Sequence, residues 1–192
     1  MNDAWKSLGG STFWQDFVRG PGKLFESEVV TKMITDAADT RLGLLKAFFT
    51  RGYTHNTQVY LKRVDASGNI LSTAKPIVVD NLLTGERKSI SQSTLREWNG
   101  VFNDAKLTDG AGWTKNQSTE LIDLFDADKN LTEIRFQIRS NRDGIRTGEY
   151  VIIKRENVFK TQYSGTGTEV RTLLDNLKFD DVKARTEVKP VF

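Results

Sequence analysis

The sequence predicts an α+β fold: one long N-terminal amphipathic helix, antiparallel β-hairpins or a meander forming a small sheet or partly open barrel, short helices, and an extended C-terminal tail. Three observations predict this fold. Paired apolar residues repeat at helical spacing from Leu24 to Phe49, apolar and polar residues alternate in two later regions, and a helical pattern returns near the C-terminus. Helices and strands therefore occupy separate blocks, which favours α+β over a parallel α/β sheet.

The first predicted element is a long helix over residues 24–49. Gly43 is the expected position of any bend, because glycine costs about 1 kcal/mol relative to alanine inside a helix. The apolar residues come in adjacent pairs that place one stripe along a helix, which predicts a single buried side. These pairs are Leu24/Phe25, Val29/Val30, Met33/Ile34, Ala37/Ala38, Leu44/Leu45 and Phe48/Phe49.

The middle of the chain is predicted to form an antiparallel meander. Residues 57–64 and 70–79 alternate on either side of the turn Ala66–Asn69, which predicts a hairpin. A second turn at Leu83–Glu86 leads to a short strand over 88–91. Two short helices are then predicted, one capped by Ser93 or Thr94 and carrying Leu95, Trp98, Val101 and Phe102, and one over Glu120–Phe125 capped by Ser118.

The C-terminal part contains a second hairpin and a closing helix. Residues 131–155 alternate apolar and charged residues around the turn Asn141–Gly144, and an i, i+3, i+4, i+7 pattern begins at Val170 within a helix predicted near 168–179. The predicted domains are an N-terminal arm over 1–22, a single α+β domain over 23–180 and an extended C-terminal tail over 181–192.

Composition excludes several classes of protein. Hydrophobic residues make up 38% of the 192 residues and charged residues 28%, which is typical of an ordered globular chain. The absence of cysteine excludes disulfide frameworks, thiolate zinc sites and cysteine nucleophiles. No secretory signal and no run of about 20 apolar residues is present. We therefore expect cytoplasmic synthesis without a signal peptide, incorporation in a virion or other large particle, and no membrane partner.

The second hairpin carries the charge imbalance of the chain. Residues 131–160 hold seven bases and four acids, and this excess equals the net charge of the whole chain, +3. If residues 132–139 form a strand, Phe136 faces the core while Arg135 and Arg139 share the outer face. A solvated face with charges of both signs is the simplest interpretation. If a partner binds here, we expect contacts from Arg135, Arg139, Arg142 and Arg146.

Both chain ends carry apolar residues that need to be covered. The arm contains Trp5, Phe13, Trp14 and Phe17, and the tail ends in Val191 and Phe192. We expect neighbouring chains to cover these residues, the arm by burial of its four aromatic side chains and the tail by adding a strand to a sheet edge. The alternative is that both ends fold back onto their own domain.

No residue pattern predicts a catalytic, cofactor-binding or metal-binding site. The only histidine, His55, has no accompanying nucleophile motif, so a structural role is the simpler interpretation. The stretch 126–130 resembles the start of a calcium loop through Asp126, Asp128 and Asn130. However, Leu131 stands where a calcium loop requires glycine, and Gln137 stands where it requires a bidentate carboxylate.

These features predict a non-enzymatic structural subunit of a larger protein assembly, acting through arms and sheet edges on other protein subunits of the same or a different chain. The combination of small body, long helix, aromatic arm and tail looks like the minor structural subunits of phage-type virions, such as neck, tail or baseplate components. The alternative is a basic nucleic-acid-binding module that uses the 131–155 hairpin. A third hypothesis is a small hydrolase or transferase around His55.

Overall fold

The computed structural model describes residues 20–36, 43, 45–86, 96–108 and 110–191. The predicted strand over 88–91 and the partner-binding candidates Trp5, Phe13, Trp14, Phe17 and Phe192 lie outside the described residues. The chain divides into two compact units. The helical unit comprises residues 1–43, 105–112 and 161–188, and the barrel unit comprises residues 44–104, 113–160 and 189–192.

Six strands form one mixed sheet: β1 (Thr54–Arg63), β2 (Ile77–Glu86), β3 (Glu97–Thr108), β4 (Glu133–Ile138), β5 (Tyr150–Tyr163) and β6 (Thr186–Pro190). Their order is β3-β2-β1-β4-β5-β6, and β3 also pairs with β5. This additional pairing closes the first five strands into a barrel, to which β6 is added. The other pairs within the barrel are antiparallel. Four antiparallel steps leave β3 and β5 pointing the same way, so the closing pair is parallel.

The predicted α+β class is therefore wrong, because a closed barrel dominates and the helices are short. These helices are α1 (Pro21–Leu24), a π-helix (Phe25–Thr31), α2 (Lys32–Thr35), α3 (Lys46–Thr50), α4 (Lys115–Phe125), α5 (Gly167–Asp175) and α6 (Phe179–Ala184). Within the described ranges, none of the helices has the length and apolar character needed to span a membrane. The closing pair joins β3 and β5, which are distant in sequence. Local periodicity does not predict such a pairing.

The predicted long helix over 24–49 is also wrong. The first three helical segments run on from one another and end at Thr35, and Asp36 leaves the helix with φ −80° and ψ 88°. The spacing of the apolar pairs explains the π-helix. Leu24/Phe25 and Val29/Val30 are five residues apart, and the wider turn of a π-helix keeps both of these pairs on the buried side. Further along, Gly43 has φ 52°, a left-handed conformation that no α-helix accommodates.

The helix predicted around Trp98 is strand β3 instead. Trp98, Val101 and Phe102 are all buried. Because both faces of this segment are buried, its apolar spacing fits a helix and a strand equally well. The predicted turn at Leu83–Glu86 is likewise the end of β2, where Gly85 lies under the ring of Tyr53.

The C-terminal segment is not an extended tail. Residues Phe179–Ala184 form α6, and β6 follows as a paired strand. The preceding helix α5 confirms the helical pattern that begins at Val170, but it ends at Asp175, and Leu177 has φ 56°. The tail prediction failed because alternation over so few residues does not distinguish a short helix followed by a strand from irregular extended chain.

The barrel interior is filled from all five strands and from α4, whose Leu121 and Leu124 are buried. Thr114, not the predicted Ser118, caps α4: its hydroxyl accepts from Gln117 N at 3.3 Å, while Gln117 Oε1 accepts from Thr114 N at 3.0 Å. Gln117 Nε2 also donates to Val78 O at 2.9 Å. The interior strand residues are Val59, Leu61, Ile77, Val79, Leu82, Trp98, Phe102, Ile134, Phe136, Ile138, Val151, Ile153 and Val158.

The helical unit has its own buried centre at Tyr163, the largest fully buried side chain among the described residues. The guanidinium of Arg185 lies 5.0 Å from the centroid of the Tyr163 ring. Glu169 pairs with Arg185, which fixes the cation in this position. Gly165 leaves the necessary space, since a Cβ there would lie 2.4 Å from the Tyr163 ring.

Candidate functional site

The hairpin of β4 and β5 confirms the predicted second hairpin. Its register pairs Phe136 with Val151 and Gln137 with Tyr150. Ile134, Phe136 and Ile138 are buried, whereas the alternate residues of β4 point outward. The pattern of alternation therefore determined the two faces of this strand correctly.

The loop between β4 and β5 is tied to β1 by Arg142. Its Nε donates to Thr57 O at 2.9 Å and its Nη2 donates to Gln58 O at 2.7 Å. Its Nη1 donates to Asn141 O at 2.8 Å. All three guanidinium nitrogens thus have backbone partners inside the chain, and the residue holds the loop in place.

Arg146 and Glu149 stabilise the other side of the same loop. Arg146 Nη1 donates to Arg142 O at 3.1 Å and Ile145 O at 3.3 Å. Glu149 is buried, and its Oε2 accepts from Arg146 N and from Trp98 Nε1, each at 2.9 Å. The carboxylate of Glu149 is therefore turned into the fold rather than toward solvent.

Arg135 is held among three groups of the barrel unit. Its Nε lies 2.9 Å from Glu97 Oε1, an ion pair without the angle of a hydrogen bond. Its Nη1 donates to Ala66 O at 3.2 Å, and its guanidinium lies 4.1 Å from the centroid of the Tyr150 ring. The Tyr150 hydroxyl donates to Gly68 O at 3.2 Å. The Arg135 charge is consequently balanced within the chain.

Arg139 and Arg146 are the two candidate arginines that the structure leaves exposed. Arg139 lies beside β1. Its backbone N–H donates to Tyr60 O at 2.8 Å, and the N–H of Tyr60 donates to Ser140 Oγ at 3.1 Å. The side chain of Tyr60 is 46% exposed. Lys62 lies opposite Gln137 in the β1–β4 register. We refer to the outward side chains of Tyr60, Lys62, Gln137 and Arg139 as the Tyr60 face.

Tyr60 was not among the partner-binding residues that the sequence predicted. A signal for it was present, because Val59 and Leu61 alternate with Tyr60 and Lys62 and so predict that the latter two face outward. The local pattern of β4 does not reveal this neighbour, since Tyr60 lies on a strand more than 70 residues earlier that pairs with β4 only in the folded chain. The structure brings Tyr60 and Arg139 together.

The tail residue Val191 lies on its own barrel. Its N–H donates to Val158 O at 3.0 Å, and its side chain packs, partly buried, against the barrel core. For this residue the structure agrees with the alternative that the chain end folds back onto its own domain.

His55 lies on β1, where its Nε2 donates to Asn81 Oδ1 at 2.8 Å. Burial lowers the pKa of His55 below its usual 6.5, and the hydrogen bond to Asn81 opposes this effect. In this setting the imidazole is neutral at physiological pH and links β1 to β2. Next to His55 on β1, Thr54 pairs with Thr84 of β2, and the hydroxyl oxygens of these two threonines lie 3.1 Å from each other.

The calcium-like stretch serves as a helix end. Asp126 Oδ1 accepts from Asp128 N at 3.0 Å, and Asn130 has φ 49°. In the part of the chain that the structure describes, no group of three or more His, Cys, Asp or Glu side chains is arranged to hold a metal ion. Comparisons with protein-family models, with curated proteins and with solved structures find no match to this chain.

Proposed function

We propose that this chain is a non-enzymatic structural subunit of a larger protein assembly and that it contacts a partner subunit through the Tyr60 face. The observation that supports this proposal is the combination of exposure and rigidity at Tyr60. Its side chain is 46% exposed, while its backbone N–H and carbonyl are bonded to Ser140 and Arg139. Tyrosine and arginine are enriched at the centres of protein interfaces, where large, ordered side chains bind at low entropic cost.

The other arginines of the hairpin support the proposal indirectly. Arg135, Arg142 and Arg146 donate to carbonyl oxygens of their own chain and so hold the shape of the surface. A surface that is ordered before binding loses less conformational entropy on association than a mobile loop would. The Tyr60 face is preorganised in this sense.

The native mass of the full-length protein in the lysate of its own source tests this proposal. We expect the protein to elute in a particle several times heavier than one chain, and we expect the double variant Tyr60→Ala/Arg139→Ala to shift toward the mass of a single chain. Lys115→Ala removes an exposed cation elsewhere in the barrel unit and serves as the matched control. A wild-type protein that elutes as a single chain would contradict the proposal.

The second candidate function is a nucleic-acid-binding module. Small five-stranded barrels of the OB type bind oligonucleotides on a strand face, and an exposed tyrosine beside Arg139 and Lys62 supplies a stacking ring and two cations. The outer face of β4 by itself lacked an aromatic residue, and Tyr60 of β1 supplies one. The exposed ring of Tyr60 therefore favours nucleic-acid binding more than the sequence of β4 did.

Salt-titrated binding to a nonspecific duplex and to a single strand tests the second candidate. Arg139→Ala and Lys62→Ala should each reduce the slope of log K against log salt by about one if each residue contacts a phosphate. Arg142→Ala is not a clean probe, because Arg142 holds the backbone of β1. Absence of binding at low salt would exclude this function.

A further inference from the structure

We infer that the Tyr60 face binds an extended acidic segment of a protein partner in which the carboxylates are two residues apart. This inference rests on the proposed function and specifies the chemistry of the partner at the same surface. It depends on the spacing of the two cations, on the local charge balance and on the number of aromatic rings available for contact.

The spacing follows from the register of β1 and β4. Lys62 lies directly opposite Gln137, so Arg139, two residues further along β4, is its diagonal neighbour. Diagonal neighbours across an antiparallel pair are about 7–8 Å apart. Alternate residues of an extended chain are about 6.6–6.8 Å apart and point to the same side. One extended segment with acids at alternate positions therefore places a carboxylate near each cation.

The four side chains of the Tyr60 face carry a net positive charge. They include two cations and no carboxylate, and Lys62 forms no ion pair with the described residues. Arg139 uses Nη1 to bond Gln137 Oε1 at 2.7 Å. The remaining guanidinium N–H groups are able to bind a carboxylate.

Two cations on the neighbouring strands lie beside acids of the chain itself. Arg135 is paired with Glu97, and Lys154 lies opposite Glu133 in the β4–β5 register. The two cations of the Tyr60 face have no carboxylate within that face. A partner that carries carboxylates is complementary to this location and would gain both association rate and orientation from it.

The aromatic residues favour a peptide over a nucleic acid. Single-stranded nucleic acids are bound by a series of rings on which successive bases stack. Tyr150 of β5 also lies on the outer side of the sheet, but Arg135 covers its ring at 4.1 Å and its hydroxyl is bonded to Gly68. Tyr60 is therefore a single exposed ring with two cations, which suits one anchor contact and two carboxylates.

The experiment compares three probes against the full-length protein by fluorescence anisotropy. The first is a labelled peptide with glutamate at alternate positions, the second is the same peptide with glutamine in place of glutamate, and the third is oligothymidylate of equal charge. We expect the glutamate peptide to bind most tightly. Tyr60→Ala should weaken its binding about tenfold and Arg139→Ala about fivefold, whereas Lys115→Ala should change it less than about twofold.

Thermal melting of each variant verifies that these exposed substitutions leave the fold intact. Tighter binding of oligothymidylate than of the glutamate peptide would overturn the inference in favour of a nucleic-acid ligand. Equal binding of the two peptides, or no binding of either, would also overturn it. In those cases a heavy native particle would still support the assembly proposal through another surface, so the two failures are distinguishable.

Discussion

Arg142 donates a hydrogen bond to the carbonyl oxygen of Gln58, which lies 84 residues earlier in the chain, at 2.7 Å. Gln58 has φ 50°, a left-handed conformation that is uncommon outside glycine. The regular β1–β4 register covers only Leu61 to Arg63 on β1, so the carbonyl of Gln58 lies beyond it. The guanidinium therefore supplies the hydrogen-bond donor that a longer strand pair would provide.

Substitution of Arg142 is expected to destabilise the barrel unit. Arg142→Ala should lower the free energy of unfolding by about 2–3 kcal/mol, because it removes charge-assisted hydrogen bonds to two partly buried carbonyls. Arg142→Lys should recover only part of the loss, since an ammonium group cannot reproduce the fork of the guanidinium. Urea denaturation measures the effect through the midpoint at constant slope. Arg139→Ala is the control, with a change within about 0.5 kcal/mol, and equal losses for both variants would contradict this role.

Gly100 is expected to be intolerant of a side chain. A Cβ at this position would lie 2.4 Å from Ile153 Cδ1 and 2.4 Å from Val151 Cγ2, where β3 closes on β5. Gly100→Ala should therefore destabilise the protein by about 1–3 kcal/mol in urea unfolding. The added substitution Ile153→Val removes Ile153 Cδ1, one of the two clashing atoms, and should restore part of the loss. Gly112→Ala, whose Cβ would have no atom within 4 Å, should be close to neutral.

His55 is expected to make stability depend on pH. Its pKa in the folded state is lowered by burial, while in the unfolded state it titrates near 6.5. As pH falls below about 6.5, the unfolded chain binds a proton that the folded chain does not, so the free energy of unfolding decreases. The loss continues until pH reaches the lowered folded pKa. Above about 6.5 this contribution is constant.

His55→Gln should remove this part of the pH dependence, because glutamine can donate to Asn81 but does not titrate. Urea midpoints of wild type and variant between pH 7.5 and 5 measure the difference. Because His55 is the only histidine, its imidazole signals in an NMR titration also report the folded pKa directly. A measured folded pKa at or above 6.5 would show that burial does not dominate at this site.

Glu149 is expected to contribute through its two N–H donors. Glu149→Ala should lower the free energy of unfolding by about 2–4 kcal/mol, since the N–H groups of Arg146 and Trp98 lose a buried acceptor. Glu149→Gln retains an acceptor oxygen and should cost less. A double-mutant cycle with Trp98→Phe should give a coupling energy of about 1 kcal/mol. Strict additivity would show that the Trp98–Glu149 hydrogen bond is not stabilising.

Local sequence was sufficient for the elements whose periodicity has one interpretation. The alternation of Ile134, Phe136 and Ile138 around an inward face predicted β4, and the pattern beginning at Val170 predicted α5. It failed where both faces are buried, as in β3 around Val101 and Phe102, because burial on two sides removes the contrast that periodicity depends on. The candidate surface was predicted in part: Arg139 was named, whereas Tyr60 was not.

By itself, the sequence determined the composition class, the second hairpin with its inward and outward residues, and the absence of cysteine chemistry. Only the tertiary structure decided that β3 closes on β5, that Arg142 binds the backbone of β1, and that Tyr60 lies exposed beside Arg139. The physical reason is the separation along the chain of the residues that make contact. Side-chain alternation reports contacts between near neighbours in the chain, whereas barrel closure and the partners of an arginine depend on strands far apart in sequence that meet only when the chain folds.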